Sequence, residues 1–196
     1  VTYRPITDVW ILARPKVKYY GAYPSGFLER ARALLGVTTD DAVLHVCSGK
    51  VRDYPFRGLG PNDKTLDIDG SMNPDFVADC RKFLPHPNDS QLGTAILRST
   101  KGPDEWPAIL ADPPYTEQDA AHYSAGPDWL PKPQDLLKLC LFYVRPGGRI
   151  GILHYQWPRP PEKIGRYPIK CVALVAVIAG YANNIRAFSV FEKVKG

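Results

Sequence analysis

Apolar residues along this chain come in short clusters, separated by stretches rich in proline, glycine and charge. Phe27–Leu35 carries them at helical spacing with charges between, and Gly36 follows as a natural stop, so a helix is expected there. Residues 42–47, 65–69, 76–78, Trp106–Ala111 and 149–154 are brief apolar runs of strand length, the second ending in acids and the third running into Asp79. Residues 134–144 return to helical spacing through Leu136, Leu137, Leu139, Cys140 and Tyr143, and Arg145-Pro146-Gly147-Gly148 stops them. Residues 171–178 and 185–191 are β-branched and aromatic around 180–184, the pattern of an antiparallel hairpin.

The remaining segments read as connections. Residues 1–15 show no clear period and are expected to lie across the surface. Residues 16–27 concentrate aromatics, two glycines and a proline into a shaped loop, and 48–61 form a loop bearing glycine and arginine. A polar loop is expected at 85–92, a long polar insertion of the lid or substrate type at 116–131, and a proline-rich loop at 155–161. Strands alternating with helices and then a closing hairpin predict an α/β sandwich, with a mostly parallel sheet and one reversed strand. A length of 196 residues suits one domain, 1–196, made of an N-terminal aromatic loop and helix (1–36) and an α/β core (37–196).

Composition narrows the class. Lysine and arginine number 25 against 20 acids, a modest excess that agrees with a polyanionic partner without demanding one. Cys47, Cys80, Cys140 and Cys171 stand far apart with no Cys-x-x-Cys pair, and the four histidines are equally scattered, so neither a zinc site nor a disulfide framework is expected. The longest apolar run, 171–179, is far too short to span a bilayer, and no signal peptide opens the chain. The expectation is a cytoplasmic protein with no membrane partner and no metal.

The stretch with the most chemistry is Ile109-Leu110-Ala111-Asp112-Pro113-Pro114-Tyr115. A buried strand ends there on two prolines, which can neither extend a sheet ladder nor enter a helix interior. The result is a stiff corner at a strand's carboxyl end, the edge where open α/β sheets bind ligands. It presents a carboxylate, uncommitted carbonyls and an aromatic ring together.

Asp112-Pro113-Pro114-Tyr115 resembles the Asp-Pro-Pro-Tyr signature of S-adenosylmethionine-dependent amino-methyltransferases, chiefly the DNA adenine-N6 enzymes. The resemblance extends from the aromatic loop at Tyr19 to the final strand, and it implies a class I methyltransferase (Rossmann-like) sandwich whose terminal hairpin holds the reversed strand. It implies a cofactor pocket at three successive strand ends. His45-Val46-Cys47-Ser48-Gly49 stands where the family carries an acid and a Gly-x-Gly turn, of which Gly49 remains. Asp67 stands where a carboxylate accepts the ribose hydroxyls, with Asp69 a nearby competitor, and Asp79-Cys80 where the adenine is bound. Tyr20 and Tyr23 lie in a loop resembling the motif that closes over the cofactor's methionine end; the family's lysine after the glycine is absent.

Two other nucleotide readings fail on the sequence. Gly49-Lys50 is followed by Val51 and lacks the upstream glycine of a P-loop, and the three spaced glycines of a dinucleotide fingerprint are missing. Cysteine-based C5 methylation is also excluded, because no cysteine follows a proline. For transfer to an exocyclic amine, the Asp112 carboxylate and the Pro113 carbonyl would accept the amine's N–H bonds. That turns its lone pair toward the methyl carbon, so rate comes from placement and fixed dipoles. Tyr115 would stack on an extruded base. Trp157 and Arg159 are candidates for stacking on and neutralising a nucleic acid strand, and Lys50, Arg52, Arg57 and Lys64 for phosphate contacts.

The expected activity is methylation of a DNA base, adenine N6 ahead of cytosine N4 because Asp rather than Ser precedes Pro-Pro. An RNA amino-methyltransferase of the rRNA guanine-N2 type and a degenerate binding subunit stand as alternatives. A bacterial or phage origin is expected. With no stretch long enough for a separate target-recognition domain, base readout would fall to the 48–61 loop, the 116–131 insertion, or a partner, either a second copy or a specificity chain.

Overall fold

Parallel strands buried on both faces need cover on both, and two apolar cores provide it, one on each side of the sheet. The structure is a computed structural model that describes residues 4–14, 21–53, 58–82, 105–122, 130–159, 162–180 and 184–195. Along the chain run β1 (Ile6–Leu12), α1 (Phe27–Leu35), β2 (Val43–Val46), β3 (Lys64–Asp67), β4 (Phe76–Val77) and β5 (Trp106–Ala111). Then come α2 (Glu117–Ala121), α3 (Pro133–Tyr143), β6 (Val144–His154), β7 (Lys163–Ile164), β8 (Tyr167–Ala179) and β9 (Ile185–Lys193).

The strand order is β1-β8-β9-β6-β5-β2-β3-β4, with β7 paired to β8. Strands β4, β3, β2, β5 and β6 are mutually parallel, and β9 runs antiparallel to both β6 and β8. The expected reversed strand in a C-terminal hairpin is therefore present. Helix α1 buries Phe27, Leu28, Ala31 and Leu35 against one face and ends at Gly36, whose φ of 70° only glycine adopts at little cost. Helix α3 opens with Pro133 and covers the other face through Leu136, Leu137, Leu139, Cys140 and Leu141. Arg145–Gly148 loop out of the ladder, since Trp106 pairs with Val144 and Ala108 next pairs with Arg149.

One expectation is corrected. Residues 6–12 form an edge strand, parallel to β8, instead of lying loosely across the surface. Trp10 and Leu12 point into the core while Val9 and Ile11 stay exposed, so apolar residues occupy both faces and hide the period-two signal. The polar segment expected at 85–92 and the part of the long insertion at 123–129 lie outside the described residues.

A buried ion network ties the last turn of α1 to the amino-terminal ends of β2 and β3. Asp63, just ahead of β3, accepts two hydrogen bonds from Arg32 Nη1 of α1 (2.8 and 3.0 Å), and one each from the backbone N–H groups of Val43 (2.9 Å) and Gly60 (2.7 Å). His45 Nε2 lies 3.1 Å from the same carboxylate. Burial alone would raise the Asp63 carboxyl; the His45 contact, the Gly60 N–H and Arg32 outweigh it and hold it below the ordinary 3.8. Asp63→Ala is expected to cost about 3–5 kcal/mol in urea unfolding at pH 7, because it leaves Arg32 buried and unpaired. The difference from wild type narrows as the pH falls below 3.8 and the native carboxylate itself protonates.

Candidate functional site

Because β5, β2, β3 and β4 are neighbours pointing the same way, the residues that follow them converge on one edge of the sheet. They line an open cleft, among whose walls are Cys47, Asp67, Ala78, Cys80, Asp112 and Pro114. The proline corner thus lies beside the strand ends proposed for a nucleoside. The Asp112 N–H is bonded to Val46 O (3.2 Å), Ser48 N–H to Leu66 O (3.0 Å) and Ala78 N–H to Asp67 O (2.8 Å), which locks the loops to one another.

The turn after β2 keeps a glycine-like shape without the glycine. Cys47 has φ 56° and Gly49 φ 48°, both left-handed, so Cys47 holds a backbone conformation that glycine adopts most readily. Holding a cysteine there costs on the order of 1 kcal/mol, a strain typical of ligand-binding turns. A Cβ added at Gly49 would meet nothing within 4 Å, so this backbone is open to close approach. The Gly49 N–H donates to Asp67 Oδ2 (2.8 Å) and the Asp69 N–H to Oδ1 (3.0 Å). Burial raises the Asp67 carboxyl, and these N–H groups work against the rise.

Of the two acids proposed after β3, only Asp67 lines the cleft. The Asp69 carboxylate accepts the Ser71 N–H (2.8 Å) and caps the next turn. Asp79 takes the Arg81 N–H (2.9 Å) and pairs with its guanidinium (2.9 Å), leaving its neighbour Cys80 to face the cleft. The Cys80 Sγ is 3.7 Å from Cys47 Sγ; that contact, with burial, pushes the Cys47 thiol up. Ser48 Oγ is buried without a partner among the described residues. His45 is not part of the cleft, since alternation along β2 turns it toward the Asp63 network. Tyr23 is buried and stacked on Phe27 (5.0 Å, 14°) beneath α1, so packing claims it; Tyr20 lies outside the described residues.

At the corner itself, the Tyr115 hydroxyl donates to Asp112 Oδ1. Burial pushes the Asp112 carboxyl up to about 6, with the Arg186 charge and the Tyr115 hydroxyl pulling the other way. The Tyr115 ring packs against Tyr155 (4.6 Å) and edge-on against His154 (5.3 Å). His154 is held neutral: burial lowers it to about 4, and its Nδ1 accepts the Gln156 N–H (2.9 Å). Tyr155 and Trp157 are both exposed, and the Arg159 guanidinium sits 5.7 Å from the Trp157 ring. Lys50 is exposed in the turn after β2. Arg52 and Lys64 are both paired with Asp75, so either must leave that carboxylate to reach a phosphate. Arg57 lies outside the described residues.

Arg186 and Tyr155 escaped the sequence reading. Each is an ordinary residue at a strand end, and only the reversed direction of β9 brings Arg186 to this edge. No group of three or more metal-ligating side chains occurs among the described residues, and no described helix is long and apolar enough to cross a membrane.

The fold is similar to TrmN from Thermus thermophilus, with a TM-score of 0.56 and 19% identity over 89% of this chain and 50% of that one. It is also similar to a structure from Streptococcus mutans described as a SAM-dependent methyltransferase (TM-score 0.52, 12% identity, 88% of this chain and 50% of that one). A third is the methyltransferase complexed with the Haloferax volcanii Trm112 methyltransferase activator (TM-score 0.51, 12% identity, 86% and 88%). This is the class I methyltransferase fold, and the chain spans about half the length of the first two. No protein-family model matches the chain. Over an alignment of 107 positions that covers 52% of the chain, it is 29% identical to Polycystin-1-like protein 3 of Mus musculus, of which it spans 4%.

The raised Asp112 carboxyl has a measurable thermodynamic sign. An acid whose folded value is about 6 against an ordinary 3.8 makes the fold most stable below pH 3.8, and that advantage is lost as the pH rises through 6. Asp112→Asn removes the titration. It is expected to be more stable than wild type by about 2 kcal/mol at pH 8 and equal to it near pH 4, read from thermal unfolding at the two pH values. A difference that does not change with pH would show that burial does not oppose the Asp112 charge.

Proposed function

We propose that this chain is an S-adenosylmethionine-dependent methyltransferase acting on an exocyclic amino group of a nucleic acid base. The observation that carries the reading is the cleft itself, in which the buried Asp67 carboxylate and the open Gly49 turn stand beside the Asp112–Tyr115 corner. The residues fit the cofactor. Asp67 has a buried carboxylate available to vicinal ribose hydroxyls, Ala78 and Cys80 offer apolar surface to an adenine, and the Gly49 backbone admits close approach. When bound, S-adenosylmethionine supplies an electrophilic methyl carbon on a sulfonium.

The chain's own residues then have defined tasks. Asp112 and the Pro113 carbonyl accept the N–H bonds of the target amine and orient its lone pair. With its proton affinity brought near neutrality, Asp112 also takes up the proton that the nitrogen releases once the N–C bond has formed. Tyr115 and Tyr155 present ring faces beside the carboxylate, and Trp157 with Arg159 continues that surface outward for an unpaired strand.

For the substrate we put RNA ahead of DNA, the reverse of the order expected from the four-residue signature alone. The exposed Tyr155 and Trp157 rings, with the Arg159 guanidinium beside Trp157, suit an unstacked strand. Single-stranded or looped RNA also offers unstacked bases without the cost of extrusion from a duplex. The DNA adenine-N6 reading is retained as second because Asp stands before Pro-Pro. A partner that completes base readout, either a second copy or a separate chain, belongs to the same proposal.

Incubation with methyl-labelled cofactor and either total RNA or duplex DNA, followed by digestion and mass identification of the nucleoside, tests the reading. A methylated amino group is expected in RNA, reduced at least about 100-fold by Asp112→Ala. Label found only in N6-methyladenine of DNA would reverse the substrate order, and full turnover by Asp112→Ala would remove that residue from the chemistry. In calorimetry with the cofactor, Asp67→Ala is expected to weaken binding about tenfold or more, the loss of hydrogen bonds to a charged acceptor. No heat with the wild type would leave only a scaffold role.

A further inference from the structure

Residue 186 is the second of β9, and β9 alone among the central strands runs backwards, so its amino end lies at the edge where its neighbours have their carboxyl ends. Ala187 pairs with His154, which sets Arg186 level with Tyr155 and next to the proline corner. Its Nη1 is 3.4 Å from the Tyr115 hydroxyl, and its guanidinium carbon is 5.9 Å from the Tyr115 ring centroid. The same hydroxyl donates to Asp112. Tyr115 is thus a bridge between an arginine on the last strand and a carboxylate on the middle one.

Building on the reading above, we propose that Arg186 is the positioning residue for Asp112. Through the Tyr115 hydroxyl it anchors the Asp112–Tyr115 corner to β9 and keeps the corner's carboxylate in its hydrogen-bond-accepting form. Arginine suits the task because it stays charged at any working pH and holds its donors in a rigid plane. The groups that face Asp112 make the balance clear. Asp119 of α2 and, across the cleft, Cys47 and Asp67 supply no positive charge. His154, against the Tyr115 ring, is neutral. Among the described residues, Arg186 is the cation that acts on Asp112 and Tyr115 alike, and the Asp112 charge and the Tyr115 hydroxyl in turn raise its own proton affinity against the effect of burial. Without it, a partly buried carboxylate would protonate at higher pH and would then present an O–H where the target amine needs an acceptor.

The test follows methyl transfer from pH 5 to 9 in wild type and in Arg186→Gln, Arg186→Lys and Tyr115→Phe, with cofactor binding measured alongside. In Arg186→Gln the acid limb is expected to move up by about one pH unit, with cofactor affinity unchanged and transfer at pH 9 within a few-fold of wild type. Arg186→Lys restores most of the shift, and Tyr115→Phe, lacking the bridging hydroxyl, moves the limb the same way. The Asp112 carboxyl is also titrated by carbon-13 NMR, its signal identified by its loss in Asp112→Asn, which reads the same coupling without turnover. An unmoved limb and an unmoved carboxyl titration in Arg186→Gln overturn the proposal; should that variant not fold, the same result in Tyr115→Phe overturns it. If wild type transfers no methyl group, the base-methylation reading falls, while the carboxyl titration still decides whether Arg186 controls Asp112.

Discussion

A carboxylate that burial tries to neutralise, held at the mouth of the sheet by a hydroxyl and a guanidinium, sets the terms for the rest of this structure. Asp112 has lost most of its water on folding and regained only part of that loss from Tyr115 and Arg186. Such a group is a net cost to the fold, and it persists because the two cores beside it supply the stability. In the proposed methyl transfer, what the site gains is an acceptor that needs little rearrangement when the target amine arrives, which is the source of rate in placement-dominated chemistry.

The sheet separates support from chemistry along the strand direction. At the amino-terminal ends, Asp63 gathers Arg32, His45 and two backbone N–H groups into a satisfied buried network, and its carboxyl is held low. At the carboxyl-terminal ends, Asp67 and Asp112 are raised, Cys47 carries a strained backbone, and a cleft stays open between them. Two buried aspartates and a half-buried one thus serve opposite ends of one sheet. The number of donors that reach each one decides which is structural and which is left able to bind.

The reversed strand has a role beyond closing the sheet. An additional parallel strand in the place of β9 would begin at the amino-terminal edge and could not bring its second residue to the cleft. Because β9 runs the other way, the hairpin delivers a cation to the corner and also packs Phe188 against Gly151, where an added Cβ would come within 2.7 Å of the ring. The close approach at Gly151 and the reach of Arg186 are both consequences of one antiparallel pairing.

Much of this was legible in the residues alone. The helices at Phe27–Leu35 and Pro133–Tyr143, the strand Trp106–Ala111 and the terminal hairpin follow from local periodicity, stop signals and turn residues, all short-range physics. The convergence of Cys47, Asp67, Cys80 and Asp112 followed from the strand order that the resemblance of Asp112–Tyr115 implied, since parallel neighbours end at one edge. Strand β1 was hidden, since apolar side chains on both of its faces erase the alternation that marks a strand. Tertiary structure alone decided the rest. It turned His45 inward to Asp63, gave Tyr23 to the core and Asp69 to a turn, and kept a glycine conformation at Cys47. It also brought Arg186 to Tyr115 across 71 residues of sequence. Those outcomes depend on which face a side chain meets and what waits there, and neither spacing nor composition encodes a partner that arrives from another strand.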